Sequence, residues 1–402
     1  MRATVAALLA ALAISPAPSE LLPALPAPTP VTSPAQRRAG MPQLTEHNGQ
    51  VLLSWIEVDG DVSSLRFAER EGAGWSAPRT VASGPDWFVN WADVPSVLRL
   101  GDTRLAAHWL QKSGPDTYAY DVRLSFSADN GATWSPPTTP HHDGTLTEHG
   151  FASLFREPAG GLGLIWLDGR AMTPGGHGHG GGAITARAAS FNSDGRQISE
   201  TLVDDRVCEC CPTAAAVTTE GVVIAYRDRA AGEVRDIYAS RRTNGTWSAP
   251  AAVFADRWVF PACPVNGPAI DALDRTVVVS WFTMRDGVGR SYAAFSKDAG
   301  RTFGTPVPVD DGVSLGRADV ELLEGGRAVV AWLEFVNEHA EWRLRLVNEA
   351  GERGPATTAA RVTSSRSSGY PRMARQKDML VLAWADAGAE PPTIRTALVP
   401  LR

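Results

Sequence analysis

The sequence predicts an all-β fold, a single β-propeller of four-stranded antiparallel blades, seven by count of its repeats. Three observations carry that expectation. A short apolar strand rising to an aromatic residue and then turning polar occurs seven times, with the aromatic at Trp55, Trp109, Trp166, Tyr226, Trp281, Trp332 and Trp384. Those positions are 54, 57, 60, 55, 51 and 52 residues apart, a period suited to propeller blades. Almost no helical period of apolar residues appears.

Composition narrows the function. The chain has 402 residues, is 44% hydrophobic and carries a formal net charge of −6 without a basic run. That balance argues against a nucleic-acid or anionic-membrane partner. Residues 1–17 read as an export signal: Arg2 is followed by the apolar stretch Val5 to Ile14, which is too short to span a bilayer. No cysteine there marks a lipid anchor, and no later segment is long and apolar enough to cross a membrane. An exported, periplasmic or extracellular protein is expected, in a compartment that permits disulfides. Residues 18–40 are rich in Pro and Ala and read as a linker; the propeller is assigned to 41–402.

Each repeat reads as an inner, second, third and outer strand. In the fourth, Pro212 to Thr218 is inner, Gly221 to Arg227 second, Arg235 to Arg241 third and Trp247 to Phe254 outer. The turns fall at Glu220-Gly221, Ala231-Gly232 and Asn244-Gly245. The inner strand of the first repeat, about Met41 to Glu46, reads as short. The last repeat ends after its third strand, Thr393 to Val399, so a segment just before Met41 is expected to supply the outer strand. Closure of the ring removes an unpaired sheet edge. Six blades plus an irregular unit is the alternative count.

Two third-to-outer connections read Ser-x-Asp-x-Gly-x-Thr-aromatic: Ser127 to Trp134 and Ser296 to Phe303. Asp129 and Asp298 can accept backbone N–H groups, Gly131 and Gly300 supply positive φ, and Trp134 and Phe303 pack back between blades. These are Asp-boxes, and residues 41–402 here resemble the sialidase-like, BNR-repeat propeller superfamily. In that family the Asp-box is structural.

Blade connections alternate between two faces. The face opposite the Asp-boxes collects the unusual chemistry. At the inner-strand starts stand Asp93, His149, Cys211, Cys263, Arg317, Asp319, Tyr370 and Arg372, with Cys208 and Cys210 just upstream of Cys211. His177 and His179 lie in a Gly-rich loop of the third repeat, and Asp168, Arg170 and Glu334 end second strands. All four cysteines therefore converge. Two disulfides are one reading; a metal site of thiolates with His149, His177 or His179, suited to copper or zinc, is the other.

The family resemblance implies a second chemistry. Sialidases pair a Tyr nucleophile with a Glu and use an Asp acid/base, and Tyr370, Glu334 and Asp93 match those placements by topology. Arg317 and Arg372, with Asp319 beside them, would clamp a sugar carboxylate. An acidic carbohydrate is the implied partner. The chain departs from the family in reading Met41-Pro-Gln43-Leu44 where an early inner strand would carry an Arg-Ile-Pro-type motif.

Overall fold

The computed structural model describes residues 22–35, 38–172 and 181–401. It is a ring of seven antiparallel sheets, and a 3-10 turn at Arg366–Ser368 is the only helical element among the described residues. No helix in them is long and apolar enough to cross a membrane. The repeat count of seven is the blade count.

The first blade is built from Ala39–His47, Gln50–Asp59 and Val62–Glu71, edged by Gly74–Trp75 and Arg79–Gly84. Its inner strand is longer than the sequence suggests, because a bulge between Gly40 and Gln43 lets pairing continue to Ala39. The second blade has three strands, Ser96–Arg99, Leu105–Lys112 and Tyr120–Ser127. Its outer edge is reduced to the reciprocal bonds of Leu124 with Thr138, since prolines at 136, 137 and 140 remove ladder donors. The third blade is His149–Arg156, Leu162–Asp168, Thr185–Phe191 and Gln197–Asp204. The fourth is Ala214–Thr218, Gly221–Arg227 and Ile237–Thr243, with an outer strand split into Thr246–Trp247 and Ala251–Ala252 around Pro250. The fifth starts at Ala269–Leu273 and Thr276–Thr283, the sixth at Val313–Leu323 and Arg327–Val336.

The seventh blade closes the ring. Arg372–Gln376, Met379–Asp386 and Thr393–Pro400 are joined by Thr29–Val31, a strand inside the Pro/Ala-rich stretch. Thr29 pairs with Leu398 and Val31 with Thr396, while Leu25 is buried beside the sixth and seventh blades. Deleting residues 22–35 removes this strand and Leu25 together. The expected loss is about 3–5 kcal/mol, a Leu burial plus several ladder bonds, read as a lower denaturant midpoint.

The aromatics of the repeat are the packing units between blades. Trp55, Trp166 and Trp332 are fully buried, and each indole N–H donates to the acid two residues on: Glu57 at 2.9 Å, Asp168 at 2.8 Å and Glu334 at 2.7 Å. Residues i and i+2 share a strand face, so the polar end of each repeat satisfies its own buried indole. In both Asp-boxes the carboxylate accepts the Thr backbone N–H at 2.9 Å, Asp129 from Thr133 and Asp298 from Thr302. Gly131 has φ +82, and a Cβ there would come within 2.4 Å of the Phe67 ring. Trp134 meets Phe67 edge-on, with ring centroids 6.0 Å apart.

Candidate functional site

The cysteines sit on the link from the third blade to the fourth. Val207 N–H bonds to Ile184 O at 2.9 Å and Cys208 N–H to Arg227 O at 2.9 Å, so the link is stitched to both blades before it reaches the thiols. Cys208 and Cys211 are buried, Cys210 is half-buried and Cys263 is exposed. Cys208 Sγ lies 3.2 Å from Cys211 Sγ and 3.8 Å from Cys210 Sγ. Cys263, from the link into the fifth blade, stands outside the group of three sulfurs that Cys208, Cys210 and Cys211 form within 4.8 Å of one another. A disulfide needs an S–S distance of about 2.05 Å, so these sulfurs are clustered and unbonded.

The surroundings of Cys208 are cationic. Arg235 Nη1 donates to Cys208 Sγ at 3.2 Å and to Glu209 Oε2 at 2.8 Å. Asn266 N–H points at Cys211 Sγ from 3.4 Å. Burial alone would raise the Cys208 thiol, but hydrogen bonds from Cys210 and Cys211 and the Arg235 charge hold it well below the ordinary thiol range. Burial pushes Cys210 and Cys211 well above it.

The central channel is a cavity of about 160 Å³ lined by all seven inner strands, with Asp93, Phe151, Asp319, Tyr370 and Arg372 among its walls. That volume holds a handful of waters, so a sugar chain would have to lie above it. Tyr370 is buried, stacks on Trp91 with centroids 6.0 Å apart, and donates its phenol proton to Val265 O at 2.8 Å. Glu334 does not approach it: its carboxylate accepts from Trp332, from Arg343 Nη1 at 2.8 Å and from Asp311 N–H at 3.1 Å. Arg317 is buried and donates to Ser368 Oγ, Gly369 O and Ser365 O, fixing the loop before Tyr370. Arg372 stands 5.3 Å over the Tyr370 ring, and Asp319 accepts Met373 N–H at 2.8 Å.

Asp93 has different company. The Tyr120 hydroxyl lies 2.7 Å from Glu148 Oε1 and 3.3 Å from Asp93 Oδ2. Burial raises Asp93 to about 7, against the bonds from Phe151 N–H and Tyr120. Burial, with the charges of Asp93 and Glu209, raises Glu148 to about 8. Gly150 makes the approach possible, since a Cβ there would lie 2.2 Å from Asp93 Oδ2. Tyr120 and Glu148 were not legible as partners because each lies in a different strand or link.

His149 heads the inner strand of the third blade and is fully buried. Its ring stacks on His141, centroids 3.8 Å apart, and Asp121, Asp143 and Asp168 surround the pair. His149 thus belongs to this cluster, on the link between the second and third blades. His177 and His179 lie outside the described residues.

A seven-bladed propeller of antiparallel sheets is the class of protein defined here. Residues 57–257, half of the chain, match the family described as a BNR repeat-like domain, and the chain belongs to that family. No curated protein matches it in sequence. Among solved structures it is similar to a PL25 ulvan lyase bound to a -[GlcA(1-4)Rha3S]- ligand, with TM-score 0.56, 11% identity, 94% of this chain and 95% of that chain covered. It is also similar to the polysaccharide lyase Uly1, with TM-score 0.53, 10% identity and 90% of each chain covered. The endosialidase of phage phi92 gives TM-score 0.53 at 10% identity, over 93% of this chain and 69% of that one. At such identities the likeness is one of fold.

Proposed function

We propose that this chain is an exported metal-binding propeller that holds one soft or borderline ion, copper(I) or zinc, on Cys208, Cys210 and Cys211, with Cys263 as a fourth donor. The observation that carries the reading is the sulfur geometry. Four ligands at about 2.3 Å from a tetrahedral ion stand about 3.8 Å apart; Cys208 and Cys210 are at 3.8 Å, and Cys208 and Cys211, at 3.2 Å, would have to part by about half an ångström. Thiolates select such ions over magnesium or calcium. Arg235, Arg227 and Asn266 N–H would offset the negative charge of several thiolates around the ion.

The test is metal analysis of the purified chain beside a thiol titration in denaturant. One equivalent of metal with four titratable thiols supports the reading. No metal and no free thiol would replace it with two disulfides.

A second reading, action on an acidic carbohydrate at the same face, is favoured by Asp93 and Glu148. Two acids, Asp93 buried and raised to about 7 and Glu148 partly buried and raised to about 8, are bridged by Tyr120 and retain a share of protonated carboxyl near neutral pH, as acid catalysis on a glycan requires. Turnover of a fluorogenic sialoside or depolymerisation of a uronic-acid polysaccharide, lost on Asp93→Asn, would establish it. Inactivity across both substrate types would remove it.

A further inference from the structure

We propose a second cation site, for a borderline divalent ion of the zinc type, on His149 Nε2, Asp143 Oδ2 and Asp168 Oδ2 at the junction of the second and third blades. It is separate from the cysteine site and takes nitrogen and oxygen ligands instead of sulfur.

The tautomer of His149 is the starting point. Its Nδ1 faces the Thr147 carbonyl at 3.2 Å, and a carbonyl only accepts, so Nδ1 carries a proton. In the neutral ring Nε2 then presents a lone pair. That lone pair faces Asp143 Oδ2 at 3.4 Å and Asp168 Oδ2 at 3.9 Å. Three electron-rich atoms thus lie close together, with His149 and Asp168 fully buried and Asp143 partly exposed. His149 Nε2 has no hydrogen-bond partner, while Asp143 Oδ2 also lies 3.2 Å from His141 Nδ1 and 3.5 Å from Arg170 Nη2. Something positive belongs between them, either a proton or a metal ion.

Several features favour the ion. Nitrogen and oxygen ligands at about 2.0–2.1 Å from a tetrahedral zinc stand about 3.4 Å apart, the separation of His149 Nε2 and Asp143 Oδ2. A ligating histidine usually donates its other N–H to a carbonyl or carboxylate, as His149 does to Thr147. The carboxylates are themselves oriented: Asp143 Oδ1 accepts Thr145 N–H at 3.0 Å, Asp168 Oδ1 accepts Arg170 Nε at 2.7 Å, and Asp168 Oδ2 accepts Trp166 Nε1 and Arg170 Nη2 at 2.8 Å each, so an ion there competes with these two donors. Across the rings, Asp121 Oδ1 lies 3.7 Å from His141 Nε2 and 3.6 Å from His149 Nδ1. Three carboxylates against the one guanidinium of Arg170 leave two negative charges, which a divalent ion would neutralise. His141 stacks face to face on His149 and so cannot aim its own lone pair at the same ion. Water would complete the coordination.

The experiment uses the full chain, stripped with chelator and then titrated with Zn²⁺ or Co²⁺. Two equivalents are expected in the wild type. Asp143→Asn should lose one equivalent while the sulfur-to-cobalt charge-transfer band remains. Cys208→Ser should lose the band and keep the Asp143-dependent equivalent, so failure of the cysteine reading and failure of this one are told apart. Zinc uptake by Asp143→Asn equal to the wild type would overturn the site. A folding-independent readout is the imidazole ¹⁵N resonance of wild-type His149 Nε2. Zinc should shift it; a resonance indifferent to zinc refutes the proposal, and titration as an imidazolium would leave a proton in that place.

Discussion

Cys208→Ser should weaken metal binding at the cysteine cluster at least ~100-fold, more than any other single cysteine exchange. Cys208 sits at the centre: it is within 3.8 Å of Cys210 and 3.2 Å of Cys211, and it is the sulfur that Arg235 contacts. Serine keeps the volume approximately but offers no thiolate. Cys263→Ser should lose less, because Cys263 is exposed and water can take its place. Competition with a chromophoric chelator measures both. Thermal unfolding gives an independent check, since an ion bound only by the folded chain stabilises it by mass action. Chelator should lower the melting temperature of the wild type and leave that of Cys208→Ser unmoved. A wild type whose melting temperature ignores chelator would show that no ion supports the fold there.

Arg227→Ala is expected to be the most destabilising change near the site, by about 3–5 kcal/mol. Arg227 is fully buried, and its guanidinium donates to Asn266 O at 2.8 Å, Phe282 O at 2.7 Å and Arg235 O at 2.5 Å. It also lies 5.0 Å over the Trp258 ring. Alanine would strand three carbonyls and a cavity between the fourth and fifth blades. The loss reaches the cysteines, because Asn266 is the residue whose N–H faces Cys211. Denaturant unfolding followed by Trp fluorescence would show the drop. A midpoint within experimental error of the wild type would mean that water replaces the guanidinium at no cost. Arg227→Lys restores one donor of the fork and should recover only part of the stability.

The architecture was written in the chain because a propeller repeats one packing problem seven times. Trp55, Trp166 and Trp332 each need neighbours on both sides of a sheet and an acceptor for the indole N–H. Both requirements are local, so both recur at a fixed offset along the sequence. The same local rule misdirects the reading of function. Glu334 has the placement of a base for Tyr370, yet it closes the repeat as the acceptor for Trp332 and Arg343. Its counterparts Glu57 and Asp168 could have signalled this, since the acid follows the tryptophan by two residues in each.

The clustering of Cys208, Cys210 and Cys211 was also legible, as all three stand in one link. Arg235 as the cation beside Cys208 was not. Nothing in its position at the start of a third strand distinguishes it from Arg290 in the next blade, which pairs with Asp310. The histidine cluster was half visible: His149 heads an inner strand, but His141 and Asp143 lie in an irregular link without period. The adjacent His141-His142-Asp143 was the available signal.

Alone, the sequence determined the number of blades and the Asp-box turns, because strand alternation and repeat period translate directly into position around a ring. Tertiary structure decided which acids face a histidine lone pair and that a strand from residues 29–31 seals the last blade. Those outcomes depend on distances across links and between blades, where residues as far apart as Val31 and Thr396 meet and no periodicity ranks the contacts.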